Sequence, residues 1–533
     1  MKAVAFPKDA TASARMRWVA AGLVLVGFIA RMAPFANQEG RLLRMFPTED
    51  GYLMLTIARN IALGRGMSTA DGTMPTNGTQ PLATFLWSAC SFIVGVNKVG
   101  TVILVLAIES VLASASAYLV YRFARRALPE GSPPEGAMLA GAGWYASATV
   151  VSHSMNCLES GLYVLFVGLV LVHVFRSTTS ASSPRYAHWA AVGALLGAAF
   201  WARNDAVLFC LSIATVHLAW GLPGAPPRAI HRLAELTVAG AMVTAIASPW
   251  LVFNYTNFGH IIPVSGQAES MDAKFGANAA LIAPNLFGYL TLLVPIPSEL
   301  HREPGVVAAC VLAIGFFGQL SWSFVHKSQS SAAKQAWLLG VATTVAFAAF
   351  YGLFFGAPHF MSRYLLALSP FYAAAWGESV RILWGRLERT GPQMAELPTI
   401  ALLALPIGLN ARNYRRITQD PHFQVVEWVS ANVPDAVWVG APQSGTVGYF
   451  HDRTINLDGK VNAAALLAQK KNQLARYIVD SPIEYIVDWE SLALRVPYPG
   501  VTLTLAEPLL GETFDLLVDD KQCNLAVLKR KSR

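Results

Sequence analysis

The chain has 533 residues, of which 54% are hydrophobic and only 14% charged, with a mean hydropathy of +0.43. Soluble domains carry about a quarter charged residues, so this composition excludes a soluble globular protein and points to a polytopic α-helical membrane protein. The formal net charge of +8 does not mark a nucleic-acid binder, because Lys and Arg collect in short loops between apolar spans, as the positive-inside rule requires.

Residues 1–17 carry Lys2, Lys8, Arg15 and Arg17 and precede an apolar run from Trp18 to Pro34 without a small-residue cleavage site. This reads as a signal anchor with a cytoplasmic N-terminus. A large polar loop, 36–81, follows. Within it Thr48, then Glu49 and Asp50, open an amphipathic run ending near Gly64, a helix with its cap and acids at the correct end. Residues 64–81, rich in Gly, Thr, Asn and Pro, read as a folded loop.

Apolar spans then lie near 100–121, 137–152, 160–175, 187–202, 206–221, 233–253, 305–325, 336–356, 364–383 and 397–409. With the first run this gives about eleven transmembrane helices, within a range of about ten to thirteen. Five basic clusters, around Arg122, Arg176, Arg228, Lys327 and Arg386, share the cytoplasmic side if residues 82–96 and 281–298 do not cross. Residues 18–417 thus form the membrane domain. Residues 418–533 alternate short strand and helix patterns, such as VWVGAP, RTINLDG, IEYIVDW and CNLAVLK, and read as a small soluble α/β domain on the outer (periplasmic) side.

This topology gathers Glu49, Asp50, Glu159, Arg203, Asp205, His260, His359 and Arg363 near the outer ends of the spans. Charges bordering membrane helices are costly and usually face a polar cavity, so one outward-facing cavity with acids and bases is expected. Blander roles compete. Arg203 and Asp205 can pair with each other, Arg363 can anchor at the interface, and the histidines can be loop residues. The five cysteines form no CxxC, and there is no HExxH, Walker A or GxSxG. NGT at 77–79 and NYT at 254–256 match glycosylation sequons.

The stretch TEDGYLMLTIARNIALGRGMSTADGTMPTNGTQPL resembles the first outer loop of GT-C fold glycosyltransferases that use polyprenyl-phosphate sugars: the protein mannosyltransferase, aminoarabinose transferase and arabinofuranosyltransferase types. NCLESGLY, WARNDAVLF, FGHIIPVSG and SRYLLALSP are similar to further family segments, and SGTVGYFHDRTINLDGKVN to the C-terminal domain of some bacterial members. The resemblance of this C-terminal segment to bacterial proteins implies placement in the inner membrane. Asn204 stands where proline is usual, and the pair is Glu-Asp rather than Asp-Asp or Asp-Glu.

The resemblance implies transfer of a hexosyl or pentosyl group from a lipid-linked donor to an acceptor hydroxyl on a glycan, lipid or protein, with inversion. It implies Asp50 as general base, with Glu49 second, since an acceptor hydroxyl needs a base within hydrogen-bond reach. Arg363, with Arg203, His359 and His260, would hold the donor phosphate. Glu159 would orient the acceptor or, with Asp50, hold a divalent cation. The competing reading is a secondary transporter or lipid flippase. Transporters place charges near the bilayer midplane and repeat internally, and neither feature is visible here. A non-catalytic assembly subunit would need no acidic pair.

Overall fold

The computed structural model describes residues 8–36, 39–128, 132–176, 184–271, 273–327, 330–357, 361–390, 396–416, 422–498, 501–504 and 507–532. Although 137–152 divides at Ser147 into Pro134–Ala146 and Ala148–Ser154, and 364–383 passes through the 3-10 turn Leu365–Leu368 before Ser369–Thr390, the apolar spans read from the sequence fall on helical segments. Those used below are α1 (Lys8–Met32), α2 (Glu49–Ala62), α3 (Pro81–Ile93), α4 (Lys98–Ala127), α5 (Pro134–Ala146), α6 (Ser160–Val174), α7 (Tyr186–Ala202), α8 (Ala206–Trp220) and α9 (Ala229–Phe258). They continue as α10 (Val264–Ser270), α11 (Ala279–Thr291), α12 (Pro304–Lys327), α13 (Ser331–Ala349), α14 (Ser369–Thr390) and α15 (Glu396–Arg416).

Among the described residues five segments are long and apolar enough to cross a membrane: Ser13–Ala36, Lys98–Ala127, Ala229–Phe258, Pro304–Ser323 and Ser331–Phe354. Four shorter apolar helices, α3, α6, α8 and α11, accompany them. The thirteen-residue α3 and α11 extend about 20 Å each, short of a hydrocarbon core of about 30 Å. The span count of about eleven therefore depends on helices shorter than a straight crossing requires.

Small residues let these helices approach closely. A Cβ at Gly377 of α14 would overlap the Gly136 carbonyl of α5, and one at Gly193 of α7 the Ala239 carbonyl of α9. Without a hydrophobic drive inside lipid, such backbone proximity is what packing offers.

The C-terminal segment is an α/β domain. Its helices are α16 (Phe423–Asn432), α17 (Gly445–Phe450), α18 (Ala463–Lys470) and α19 (Leu474–Asp480). Its strands are β1 (Val439–Ala441), β2 (Thr454–Asn456), β3 (Tyr485–Asp488), β4 (Phe514–Asp520) and β5 (Leu525–Arg530), in sheet order β2-β1-β3-β5-β4. β1 pairs parallel with β2 and β3, while β5 runs antiparallel to β3 and β4. Alternate residues feed two cores: Ile455, Ile486 and Leu528 on one face, Val439, Val487 and Val527 on the other.

The domain is not tethered loosely. Phe423 and Tyr449 belong to the same buried cluster as Leu42, Tyr52, Trp87 and Leu106 of the membrane part.

Candidate active site

α2 starts where the sequence predicts. Thr48 caps it, its hydroxyl accepting from Gly51 N at 3.2 Å, and Glu49 and Asp50 sit at the positive end of the helix dipole. It ends at Ala62, and Gly64 takes a φ of 76° to turn the chain away. The loop beyond folds into a short ribbon pairing Ser68–Thr69 with Met74–Pro75, pinned by Asn60 Nδ2 donating to the Ser68 carbonyl at 2.9 Å.

The two acids diverge. Glu49 faces the C-terminal domain: its carboxylate accepts from Gly445 N, from Thr446 N at 2.8 Å and from the Thr446 hydroxyl at 2.6 Å. Asp50 instead meets Arg363, Oδ2 to Nη1 at 2.9 Å, with side chains 29% and 10% exposed. Of the pair, Asp50 is the more exposed and lies beside an arginine. Both Glu49 carboxylate oxygens accept hydrogen bonds from the first turn of α17.

Behind Arg363 lies a buried network. Arg203 Nη1 meets Glu159 at 2.5 Å, and its Nη2 meets Asp205 at 2.9 Å. Tyr351 donates its hydroxyl to Asp205 and stacks on Tyr364, ring centroids 4.9 Å apart. Arg203 and Arg363 both lie over Tyr364, at 5.3 and 5.2 Å from its centroid. The pairing of Arg203 with Asp205 is thus real, and it extends to Glu159. Arg203 and Glu159 are buried and ion-paired beside the Tyr364 ring that Arg363 also covers. His153 Nε2 lies 3.0 Å from the Ser362 hydroxyl, and Tyr289 donates to the Ser362 carbonyl at 2.6 Å, fixing the residue before Arg363.

The remaining expectations separate. His260 is exposed after Gly259 and makes no hydrogen bond or ion pair with the cluster. His359 lies outside the described residues. Among the described residues no group of three or more His, Cys, Asp and Glu could hold a metal ion, and Asp50 and Glu159 each face an arginine.

The sequons are not available for modification. Asn77 and Asn254 are fully buried and bonded to each other at 3.0 Å, and Asn77 Oδ1 accepts from Val264 N at 3.0 Å. An apolar cavity of about 620 Å³ lies elsewhere, lined by Phe317, Trp337 and Phe371 of α12–α14, and it shares no residue with the charge cluster.

Sequence reasoning did not single out Tyr351 and Tyr364, the stacked rings of this network. Tyr364 is signalled by its adjacency to Arg363, whereas Tyr351 needs tertiary structure to reveal it.

The overall architecture matches solved proteins. The crystal structure of ArnT from Cupriavidus metallidurans bound to undecaprenyl phosphate aligns with a TM-score of 0.59 and 13% identity, over 95% of this chain and 97% of that one. The oligosaccharyltransferase AglB from Archaeoglobus fulgidus, with an inhibitory peptide and a dolichol-phosphate, aligns with a TM-score of 0.54 and 12% identity, over 94% and 72%. The chain has the GT-C fold. Another structure of the archaeal oligosaccharyltransferase, tethered to an acceptor peptide, aligns with a TM-score of 0.54 and 12% identity, over 97% of this GT-C chain and 74% of its own. A family profile described as "Domain of unknown function (DUF8728)" matches residues 410–522, the C-terminal domain. No curated protein sequence matches the chain.

Proposed function

We propose that this GT-C protein is a membrane glycosyltransferase that moves a sugar from a polyprenyl-phosphate-linked donor to an acceptor hydroxyl on the outer face of the membrane. The observation that carries the reading is the Asp50–Arg363 pair, a reachable carboxylate held 2.9 Å from a nearly buried guanidinium. That pair combines the two groups the reaction needs. The acceptor oxygen attacks the anomeric carbon while Asp50 takes the hydroxyl proton. The bond from that carbon to the phosphate oxygen breaks, and its electron pair leaves with the polyprenyl phosphate. Arg363 stabilises the charge that develops there. One direct displacement inverts the anomeric centre.

Glu159, Arg203, Asp205 and Tyr351 act through Arg363 as positioning residues. The ligands named for the solved neighbours, undecaprenyl phosphate and dolichol-phosphate, agree with a lipid-linked donor.

The test compares transfer from a polyprenyl-phosphate sugar by wild type, Asp50→Asn and Glu49→Gln at matched membrane expression. Removing a general base lowers turnover by about 10²- to 10⁴-fold, and Asp50→Asn is expected in that range. Glu49→Gln is expected to retain far more activity. Full transfer by Asp50→Asn overturns the reading.

A further inference from the structure

The three parallel strands of the C-terminal sheet end at one edge, and the turns leaving that edge meet the polar loop. The turn after β1 supplies the Gly445 and Thr446 N–H groups to Glu49. The turn after β2 carries Asp458 and Lys460. The turn after β3 begins at the buried Asp488, which accepts from Gln443 N and Trp489 N, both at 2.7 Å. In open α/β sheets the carboxyl edge of the strands is where ligands bind. Here the turns after β1 and β2 on that edge meet Glu49 and Gly78 of the polar loop.

The β2 turn is built into place. Lys460 Nζ pairs with Glu269 of α10 at 2.8 Å, their side chains 28% and 16% exposed, and Lys460 N donates to Asp458 Oδ1 at 2.9 Å. Gly78 sits so close that a Cβ there would overlap the Lys460 carbonyl oxygen. The buried Asn77 ties the same loop to Asn254 and to Val264, the first residue of α10. One bracket therefore sets Lys460 against Glu269. Burial alone would lower the Lys460 ammonium, but Asp458, Glu269 and Asp50 together raise it above the ordinary lysine value. Burial pushes the Asp458 carboxyl up. Glu49, the chain neighbour of Asp50, bonds the β1 turn, and β2 runs parallel beside β1, so the β2 turn lies next to the Asp50 end of α2.

We infer that the Asp458–Lys460 turn and Glu269 form the acceptor subsite of the Asp50 centre, and that they take a hydroxyl-rich, carbohydrate acceptor. This rests on the glycosyl-transfer reading above. A hydroxyl both donates and accepts, and an ammonium flanked by carboxylates offers both partners at once. A phosphate or carboxylate ligand would face three acids, Asp50, Glu269 and Asp458, and be repelled. Arg363, paired with Asp50 at 2.9 Å, is left for the donor.

The experiment uses the full chain in detergent with two probes: undecaprenyl phosphate, and an array of neutral and anionic oligosaccharides alongside peptides. A hydrogen bond to a charged group is worth about 1.5–3 kcal/mol, so Lys460→Met and Glu269→Gln are each expected to weaken oligosaccharide binding about tenfold or more. Both should leave undecaprenyl phosphate affinity within about twofold, well below one such hydrogen bond. Lys460→Arg should restore part of the loss, and the surface variant Lys531→Met should bind as wild type. Unchanged thermal unfolding of Lys460→Arg keeps the result separate from misfolding.

If Lys460→Met weakens undecaprenyl phosphate instead, or wild type retains only peptides or no oligosaccharide, the inference is overturned. If Arg363→Met leaves undecaprenyl phosphate binding untouched, it is the donor reading that fails.

Discussion

Consecutive residues on a helix leave its axis about 100° apart, so Glu49 and Asp50 in the first turn of α2 cannot serve one partner. The geometry assigns Glu49 to the domain contact and Asp50 to Arg363. Glu49→Gln keeps the shape but removes charge from hydrogen bonds worth about 1.5–3 kcal/mol each, so a loss of about 2 kcal/mol in domain docking is expected. Thermal unfolding of the full chain measures it, and an unchanged midpoint would contradict the assignment. Gly51 carries a second residue-scale prediction. A Cβ there would overlap the Asn156 carbonyl oxygen, and Thr48 N already bonds that oxygen at 3.4 Å. Gly51→Ala must push α2 off the 155–159 loop, at about 1–3 kcal/mol, and so move Asp50 away from Arg363. Its stability should fall along with transfer.

Between elements, the contact of α2 with α17 is reinforced by a charge cluster centred on Asp452. Its carboxylate meets Lys98 of α4 at 2.8 Å and Arg59 of α2 at 3.0 Å. Burial alone would raise the Asp452 carboxyl, but Lys98 and Arg59 hold it below the usual value. A depressed carboxylate stabilises above the unfolded pKa of about 3.9, and that stabilisation is lost as pH falls through the lower folded value. Hydrogen exchange in α17 should therefore stay slow down to about pH 4 and speed up below it. Asp452→Asn should weaken protection at pH 7 by about 1–3 kcal/mol and remove that dependence.

These contacts explain what the sequence could reveal. Thr48, Glu49, Asp50 and Gly64 are local signals, so α2 was legible to within two residues. Glu49 with Thr446 and Arg59 with Asp452 join residues hundreds of positions apart, and no periodicity encodes them. Residues 463–479 read as one helix. They form two, because Asn472 adopts a φ of 54° between α18 and α19.

For the whole molecule, the question is whether the two parts unfold together. The Tyr52 ring packs 5.2 Å from Tyr449, 5.6 Å from Phe450 and 6.1 Å from Phe423, so one membrane-side aromatic is enclosed by three from the domain. Aromatic pairs add about 0.5–1.5 kcal/mol each beyond their burial, and the ion pairs of Asp452 and the hydrogen bonds of Glu49 add to the same joint. A contact of that strength, sharing one apolar cluster, couples the domain to the helices in a single cooperative transition. Calorimetry of wild type should show one endotherm. Arg59→Asp places like charges opposite Asp452 and strands a carboxylate at the joint, while touching neither the sheet cores nor the long helices. It should split the endotherm into two, with the domain melting first, and lower transfer because Lys460 then parts from Glu269 and Asp50. Two transitions with undiminished transfer would mean that the Asp50 centre works without the domain. One unaltered transition would mean that the aromatic cluster alone holds the joint.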